Sequence, residues 1–371
     1  MGSSVRSRFR VGADHPGGNT MNRKHGTEST RPRQADIARL AGVSQGTVSL
    51  IINGRASTGR ILDETRDRVL SVAHELGYVP DPAARRLAGG RNRLIGIFTY
   101  ESVFPLSHHD FYHPFLVGIE EQAERHGYDL VLFTSATGTS GERGIFVDGQ
   151  NRIGLADGAI ILGREMRTEE IVSLRNEGYP FTLVGRRDIP GEVPYVTADY
   201  RRGTVDAFAE LARLGHTHVA YVSSSDDTHP AHEREAGYQE AAAALTVVEL
   251  DGSQSADGLA GSLAELIATG TSAVVTHYAE TAIEVEAALA LRGIRVPDDV
   301  SILALNDPPD DDPSIGGLRI PRREMGAMAF DLLIDQLESD DPEHAPIRRV
   351  LPTGFAAGRT VAPLPQHRRN A

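Results

Sequence analysis

Apolar residues recur at helical spacing near the start of the chain. Ile37, Leu40 and Ala41 form one run and Val48, Ile51 and Ile52 another, with Gly42-Val43-Ser44 between them. The pattern predicts a helix, a tight turn and a second helix. A third run, Val69, Leu70, Val72, Ala73 and Leu76, opens at Asp63 as its cap and stops at Gly77, so three short helices share one small core. Asp81-Pro82 opens a further helix that Gly89-Gly90 ends, and it is too short to be stable alone. From Leu94 the pattern becomes continuous apolar runs at 94–98, 129–135, 158–163, 180–186, 218–224, 272–277 and 300–305, separated by amphipathic stretches. That alternation predicts doubly wound parallel sheets with helices on both faces, and so many strands call for two lobes rather than one.

Residues 1–31 are rich in Gly, Ser, Thr and Arg without an apolar period, and read as a disordered extension; a second Met at position 21 makes residues 1–20 readable as partly non-native. No apolar run reaches the ~18 residues of a membrane span, and the first twenty residues lack the apolar block of an export signal. A cytoplasmic protein with no membrane partner is expected. The absence of cysteine excludes disulfides, thiolate zinc sites and iron–sulfur clusters. The sequence holds no Walker loop, no dinucleotide-binding glycine pattern and no cysteine nucleophile, so neither an enzyme nor a cofactor is expected.

Charge divides the chain unevenly. Residues 1–93 carry 16 Lys and Arg against 8 Asp and Glu, whereas the remainder carries 22 against 43. A small basic head on a large acidic body suits phosphate contact at one end only. Within the head, Ser44 caps the second helix, whose outward positions are Gln45, Gly46, Ser49, Leu50 and Asn53. Gln45 can bond adenine through two hydrogen bonds, Thr47, Ser49 and Asn53 can hold phosphates, and an outward Leu50 suits a thymine methyl.

The segment 36–54, with Asp36-Ile37-Ala38, Ala41-Gly42-Val43-Ser44, Thr47-Val48-Ser49 and Ile52-Asn53-Gly54, resembles the head of the LacI/GalR family. The segment 76–87, with Leu76-Gly77-Tyr78, Pro80, Ala84-Arg85 and Leu87, resembles that family's linker. The resemblance implies a transcription regulator, a repressor, that binds a palindromic operator in double-stranded DNA as a homodimer, with a tetramer as the larger assembly the family allows. It also implies a hinge helix whose leucine, here Leu87 with Ala84 beside it, wedges into the minor groove while Arg85 adds phosphate contact. The loop from Asn53 to Asp63 is longer than in well-known members, and Gly46 and Leu50 stand where long polar base-readers often sit, so the operator sequence does not carry over.

The resemblance continues through the body, which is expected to be periplasmic-binding-protein-like with a small effector, a carbohydrate, between its lobes. It implies a head at 32–78, hinge and linker at 79–93, an effector-binding body at 94–356 and a tail at 357–371. The lobes are expected at about 94–197 plus 306–321, and 198–305 plus 322–356. Ligands in such sheets sit at the carboxyl ends of strands. There, Phe111 and Tyr112 offer rings for stacking, though both also suit a core, and the neighbouring His108-His109-Asp110 reads as a wet polar loop rather than a metal site. Arg234, matching the family's R-x-x-G-(Y/F) pattern in the first turn of a helix, and Asp307, in its Asn-Asp step, are the strongest effector contacts. His277-Tyr278 replaces a common polar step, placing Tyr278 at the cleft. Gly185-Arg186-Arg187 stands where an acid is frequent, and one of those arginines entering the cleft, with Arg186 the first candidate, makes a carboxylate- or phosphate-bearing effector worth testing. Control by a corepressor or a partner protein remains open, whereas a transport protein would need an export signal and no basic head.

Overall fold

In the computed structural model the chain divides into two compact units, Met1–Gly90 and Arg91–Ala371. Residues 32–52, 61–78, 91–101, 111–135, 143–164, 166–307, 314–339 and 346–364 are described.

The first unit contains α1 (Gln34–Ala41), α2 (Gln45–Ile52) and α3 (Asp63–Glu75). Gly42 adopts φ 68°, the left-handed geometry that lets α1 stop and the chain turn into α2. Ser44 Oγ then accepts the Thr47 N–H at 3.1 Å and caps α2. Ile37, Ala38, Ala41, Val48, Ile51, Val69 and Ala73 close one core. Arg68 Nε donates to the Ala41 carbonyl at 3.0 Å, tying α3 to the end of α1. Two expectations change. Leu40 and Leu70 are 54% and 42% exposed, because helices this short bury only a narrow stripe. Asp63 is the first helical residue, and Leu62 holds the cap position with no side-chain bond. The Asp63 carboxylate still opposes the positive end of the helix dipole. Asn53 and the predicted hinge with Ala84, Arg85 and Leu87 lie outside the described residues.

The second unit begins with β1 (Leu94–Phe98), α4 (His113–His126), β2 (Asp129–Phe133), the hairpin β3 (Phe146–Val147) and β4 (Gln150–Asn151), β5 (Gly158–Leu162), α5 (Thr168–Asn176), β6 (Phe181–Val184) and β7 (Tyr195–Ala198). It continues with α6 (Tyr200–Arg213), β8 (His218–Val222), α7 (His229–Ala242), β9 (Thr246–Leu250), α8 (Ala256–Ala268), β10 (Ala273–Thr276), α9 (Ala279–Ala290) and β11 (Ser301–Ala304). Last come β12 (Gly316–Arg319), α10 (Arg322–Glu338), β13 (Arg348–Leu351) and β14 (Gly354–Ala356). Among the described residues these strands form two six-stranded sheets, ordered β13-β7-β6-β5-β1-β2 and β14-β12-β11-β10-β8-β9, besides the small hairpin. Every pairing in the two large sheets is parallel except β12 with β14. Strands β5, β6, β10 and β11 are buried along their whole length, which is why each reads as an unbroken apolar run.

The exchange of the last segments runs opposite to the expectation. Residues 316–319 join the second sheet beside β11, while α10 and β13 belong to the first lobe. The chain thus crosses between lobes after β7, after β12 and after β13. Gly317 explains why β12 escapes a reading by hydrophobicity: a Cβ there would stand 2.0 Å from the Ala304 carbonyl oxygen, so close approach to β11 excludes a β-branched side chain.

Candidate functional site

On the head, Gln45, Gly46 and Leu50 are exposed on one side of α2, with Leu50 at 44%, while Val48 and Ile51 face the core. Ser49 and Thr47 are half-buried, and the Thr47 hydroxyl shares a hydrogen bond with Ser44 Oγ at 2.9 Å. The capping pair thus fixes the amino end of the helix from which Gln45 projects. This is the polar face, broken by one leucine, that the sequence predicts for a groove-reading helix.

In the body a cavity of about 440 Å³ opens at the carboxyl ends of the strands, lined from both lobes. Its walls come largely from residues at or near helix amino ends: Phe111 and Phe115 of α4, Tyr200 of α6, Thr228 and Pro230 of α7, Tyr278 and Glu280 of α9, and Arg322 of α10. Parallel sheets bring this about, because each strand hands the chain to a helix whose positive dipole end points at the cleft.

Arg234 lies in the second turn of α7, one turn further in than expected, and is 5% exposed. Its guanidinium packs over the Tyr200 ring at 4.9 Å and the Tyr278 ring at 5.9 Å, and its Nε has no hydrogen-bond partner. Burial lowers its pKa, opposed by Tyr200 and Tyr278. Tyr278 lines the cavity as expected, and its hydroxyl donates to Asp226, which also pairs with Arg164 at 2.8 Å. Arg164 follows β5 and Asp226 follows β8, so this ion pair joins the two lobes across the cleft.

Three expected contacts are relocated. Tyr112 does not line the cavity; it is buried and donates its hydroxyl to Glu101, while its neighbour Phe111, 39% exposed, presents a ring to the cavity. Arg186 is exposed, and Arg187 enters instead. In the extended segment after β6 alternate residues face opposite ways, and Arg187 is anchored by donating to the carbonyls of Gly163 and Arg164. Asp307 is set behind the wall: it accepts the Ile320 N–H at 3.0 Å and stands 3.1 Å from Arg322 Nη1. The Oδ2 of that pair is within ionic reach but out of line for a hydrogen bond. Burial raises the Asp307 pKa, with Arg322 pulling against it. Arg322, Tyr200 and Asp226 were not expected from the sequence; Asp199, whose carboxylate accepts the Arg202 N–H, is the cap signal that would have placed Tyr200 at a helix start.

His277 is 3% exposed; its Nε2 meets the Tyr221 hydroxyl, which also donates to Glu235, and its Nδ1 has no partner. Burial pushes its pKa down from 6.5 to about 4, Arg234 lowers it further and Asp226 raises it. Between those values the unfolded chain takes up a proton that the folded protein refuses. The stabilising contribution is therefore complete above pH 6.5 and is lost as the pH falls toward 4. His277→Gln is expected to recover about 2 kcal/mol of the stability wild type loses between pH 7.5 and pH 4.5, measured by urea unfolding; equal acid losses in both proteins would contradict the assignment.

The chain carries a helix-turn-helix head and a two-lobed α/β body with a cavity at its strand ends, and the known proteins it resembles are transcription regulators. Residues 35–81 match the family of bacterial regulatory proteins of lacI type, and residues 208–361 match the periplasmic binding protein-like domain. HTH-type transcriptional regulator CelR of Thermobifida fusca is 30% identical over 338 residues, spanning 87% of this chain and 96% of CelR. HTH-type transcriptional regulator AscG of Escherichia coli (strain K12) is 28% identical over 318 residues, 82% of this chain and 92% of AscG. Among solved structures, the transcriptional regulator CelR–cellobiose complex matches with a TM-score of 0.57 at 26% identity, covering 89% of this chain and all of that one. The lac repressor dimer bound to operator and the anti-inducer ONPF shares the fold, with a TM-score of 0.63 at 20% identity over 90% of this chain and all of that one. This chain belongs to the LacI family of transcription regulators. Among the described residues no helix is long and apolar enough to cross a membrane, and no cluster of three metal-ligating side chains occurs.

Proposed function

We propose that this regulator is a cytoplasmic repressor that binds a palindromic operator as a homodimer, and that a carbohydrate or carbohydrate derivative in the body's cavity sets its operator affinity. In the head, Gln45 and Leu50 meet base edges, with Ser44, Gly46, Thr47, Ser49 and Asn53 along the adjoining backbone. Leu87 and Ala84 enter the minor groove, and Arg85 holds a phosphate. In the body, Phe111 and Tyr278 pack on the effector and Arg234 donates to it.

The observation that carries the effector half is Arg234: a buried guanidinium facing a cavity lined from both lobes, with an N–H left unpaired. Such a group is costly in an empty site and is satisfied by a ligand oxygen. Because both lobes line the cavity, an occupant favours one lobe arrangement over another. Cellobiose bound to CelR supports the carbohydrate class. The test is operator binding by the full chain, followed by fluorescence anisotropy during titration with carbohydrates. A drop in operator affinity of about 5- to 150-fold is expected with the effector. A ligand that binds the body by calorimetry and leaves operator affinity unchanged would overturn the coupling.

A further inference from the structure

We infer that the effector is anionic: a carbohydrate bearing a carboxylate or phosphate, held by Arg187 and Arg234 together. This inference rests on the effector-binding reading of the cavity and narrows its ligand class.

Four arginines line the cavity, Arg164, Arg187, Arg234 and Arg322, against two carboxylates, Asp226 and Glu280. Two of the arginines are neutralised: Arg164 by Asp226 at 2.8 Å and Arg322 by Asp307 at 3.1 Å. Glu280 is exposed at the rim. Arg187 and Arg234 are left without a carboxylate partner among the described residues. Among the described residues Arg187 bonds to the backbone carbonyls of Gly163, Arg164 and Arg186, and Arg234 packs on ring faces. Glu101, the acid whose charge acts on Arg187, already accepts the Arg164 N–H at 2.9 Å and the Tyr112 hydroxyl.

Arg234 is buried and Arg187 half-buried, and both line one cavity together with Tyr200. A cation held away from water without a carboxylate partner is costly unless a counter-charge arrives from outside. A neutral sugar hydroxyl satisfies an N–H but leaves the charge uncompensated, whereas an oxyanion does both and accepts the paired, planar donors of a guanidinium. The helix amino ends that ring the cavity add partial positive charge of the same sense. The rest of the lining fits a hydroxylated ring: Phe111 and Tyr278 supply faces, and Asn306, Thr228 and Thr281 supply donors and acceptors. The volume, about 440 Å³, lies within the range of small-ligand sites.

The test compares matched ligands on the full-length protein by calorimetry at fixed ionic strength: glucose, glucuronate, gluconate and glucose 6-phosphate, then galactose with galacturonate and cellobiose with cellobionate. At least one anion is expected to bind about tenfold or more tightly than its neutral parent, and whether carboxylate or phosphate wins names the source of the charge. Arg187→Gln is expected to lower the anion's affinity about tenfold more than it lowers the neutral parent's, and Arg187→Lys to keep part of that difference. Since the wild-type comparison needs no variant, a poorly folding R187Q does not blunt it. Neutral sugars binding as well as their acids would overturn the anion inference and leave the effector reading standing; no binding by any member would overturn both.

Discussion

Arg234→Met is expected to abolish the effector response while leaving operator affinity unchanged and making the ligand-free protein more stable. The stability change follows from what the arginine lacks. It is 5% exposed, its Nε is unpaired, and among the described residues no carboxylate forms an ion pair with it. Desolvating an ion costs several kcal/mol, and two cation–π contacts return about 1–2 kcal/mol each. Methionine fills a similar volume, keeps the contact with Tyr200 and Tyr278 and carries no charge. A gain of about 1–2 kcal/mol in unfolding free energy is expected. The lost ligand contacts are charge-assisted, so effector affinity should fall by about 100-fold or more. Urea unfolding and operator titration with and without effector read both effects; a preserved response would remove Arg234 from the site.

The largest loss of stability is expected where α4 and α10 touch through glycine. A Cβ on Gly118 would lie 1.9 Å from the Arg323 carbonyl oxygen, and one on Gly326 would lie 2.1 Å from that of Phe115. Backbone meets backbone there, and no side chain can swing aside. Alanine improves intrinsic helix propensity by about 1 kcal/mol, but the helices must part to admit it, and forced overpacking costs about 1–3 kcal/mol or more. Gly326→Ala and Gly118→Ala are each expected to destabilise by about 2 kcal/mol net. The double variant should cost less than the sum, because the separation that admits one methyl makes room for the other. Since α10 begins at Arg322 and Phe111 stands just before α4, the same displacement should weaken effector binding. Strictly additive losses by urea unfolding would show that the two contacts are independent.

How much of this was legible in the sequence depends on which signal each element carries. The head was read nearly to the residue, because Gly42 and Ser44 impose a local geometry that no tertiary contact has to supply. The central strands were legible because both their faces are covered. Strands β7, β9, β12, β13 and β14 were not: β9 and β13 are partly exposed edges, and β12 spends two of its four positions on glycine. Missing β12 reversed the lobe exchange, and with it the placement of Arg322. Phe111 and Tyr112 were indistinguishable by type; the Tyr112 hydroxyl is drawn inward by donating to Glu101 and accepting from Thr99, partners that only the fold brings to it. Arg186 and Arg187 differ only by the direction in which an extended segment turns alternate side chains, which depends on the register after β6. The effector cavity was located by topology, and its charge became visible only when each arginine could be assigned its partner.

The claim on which the rest depends is that the α2 surface reads DNA sequence. Selection of bound sites from a randomised duplex library, using the full-length, effector-free protein at low ionic strength, tests it most directly. Enrichment of a two-fold symmetric sequence is predicted, with half-sites about one helical turn apart. A bound pool indistinguishable from the input would contradict it.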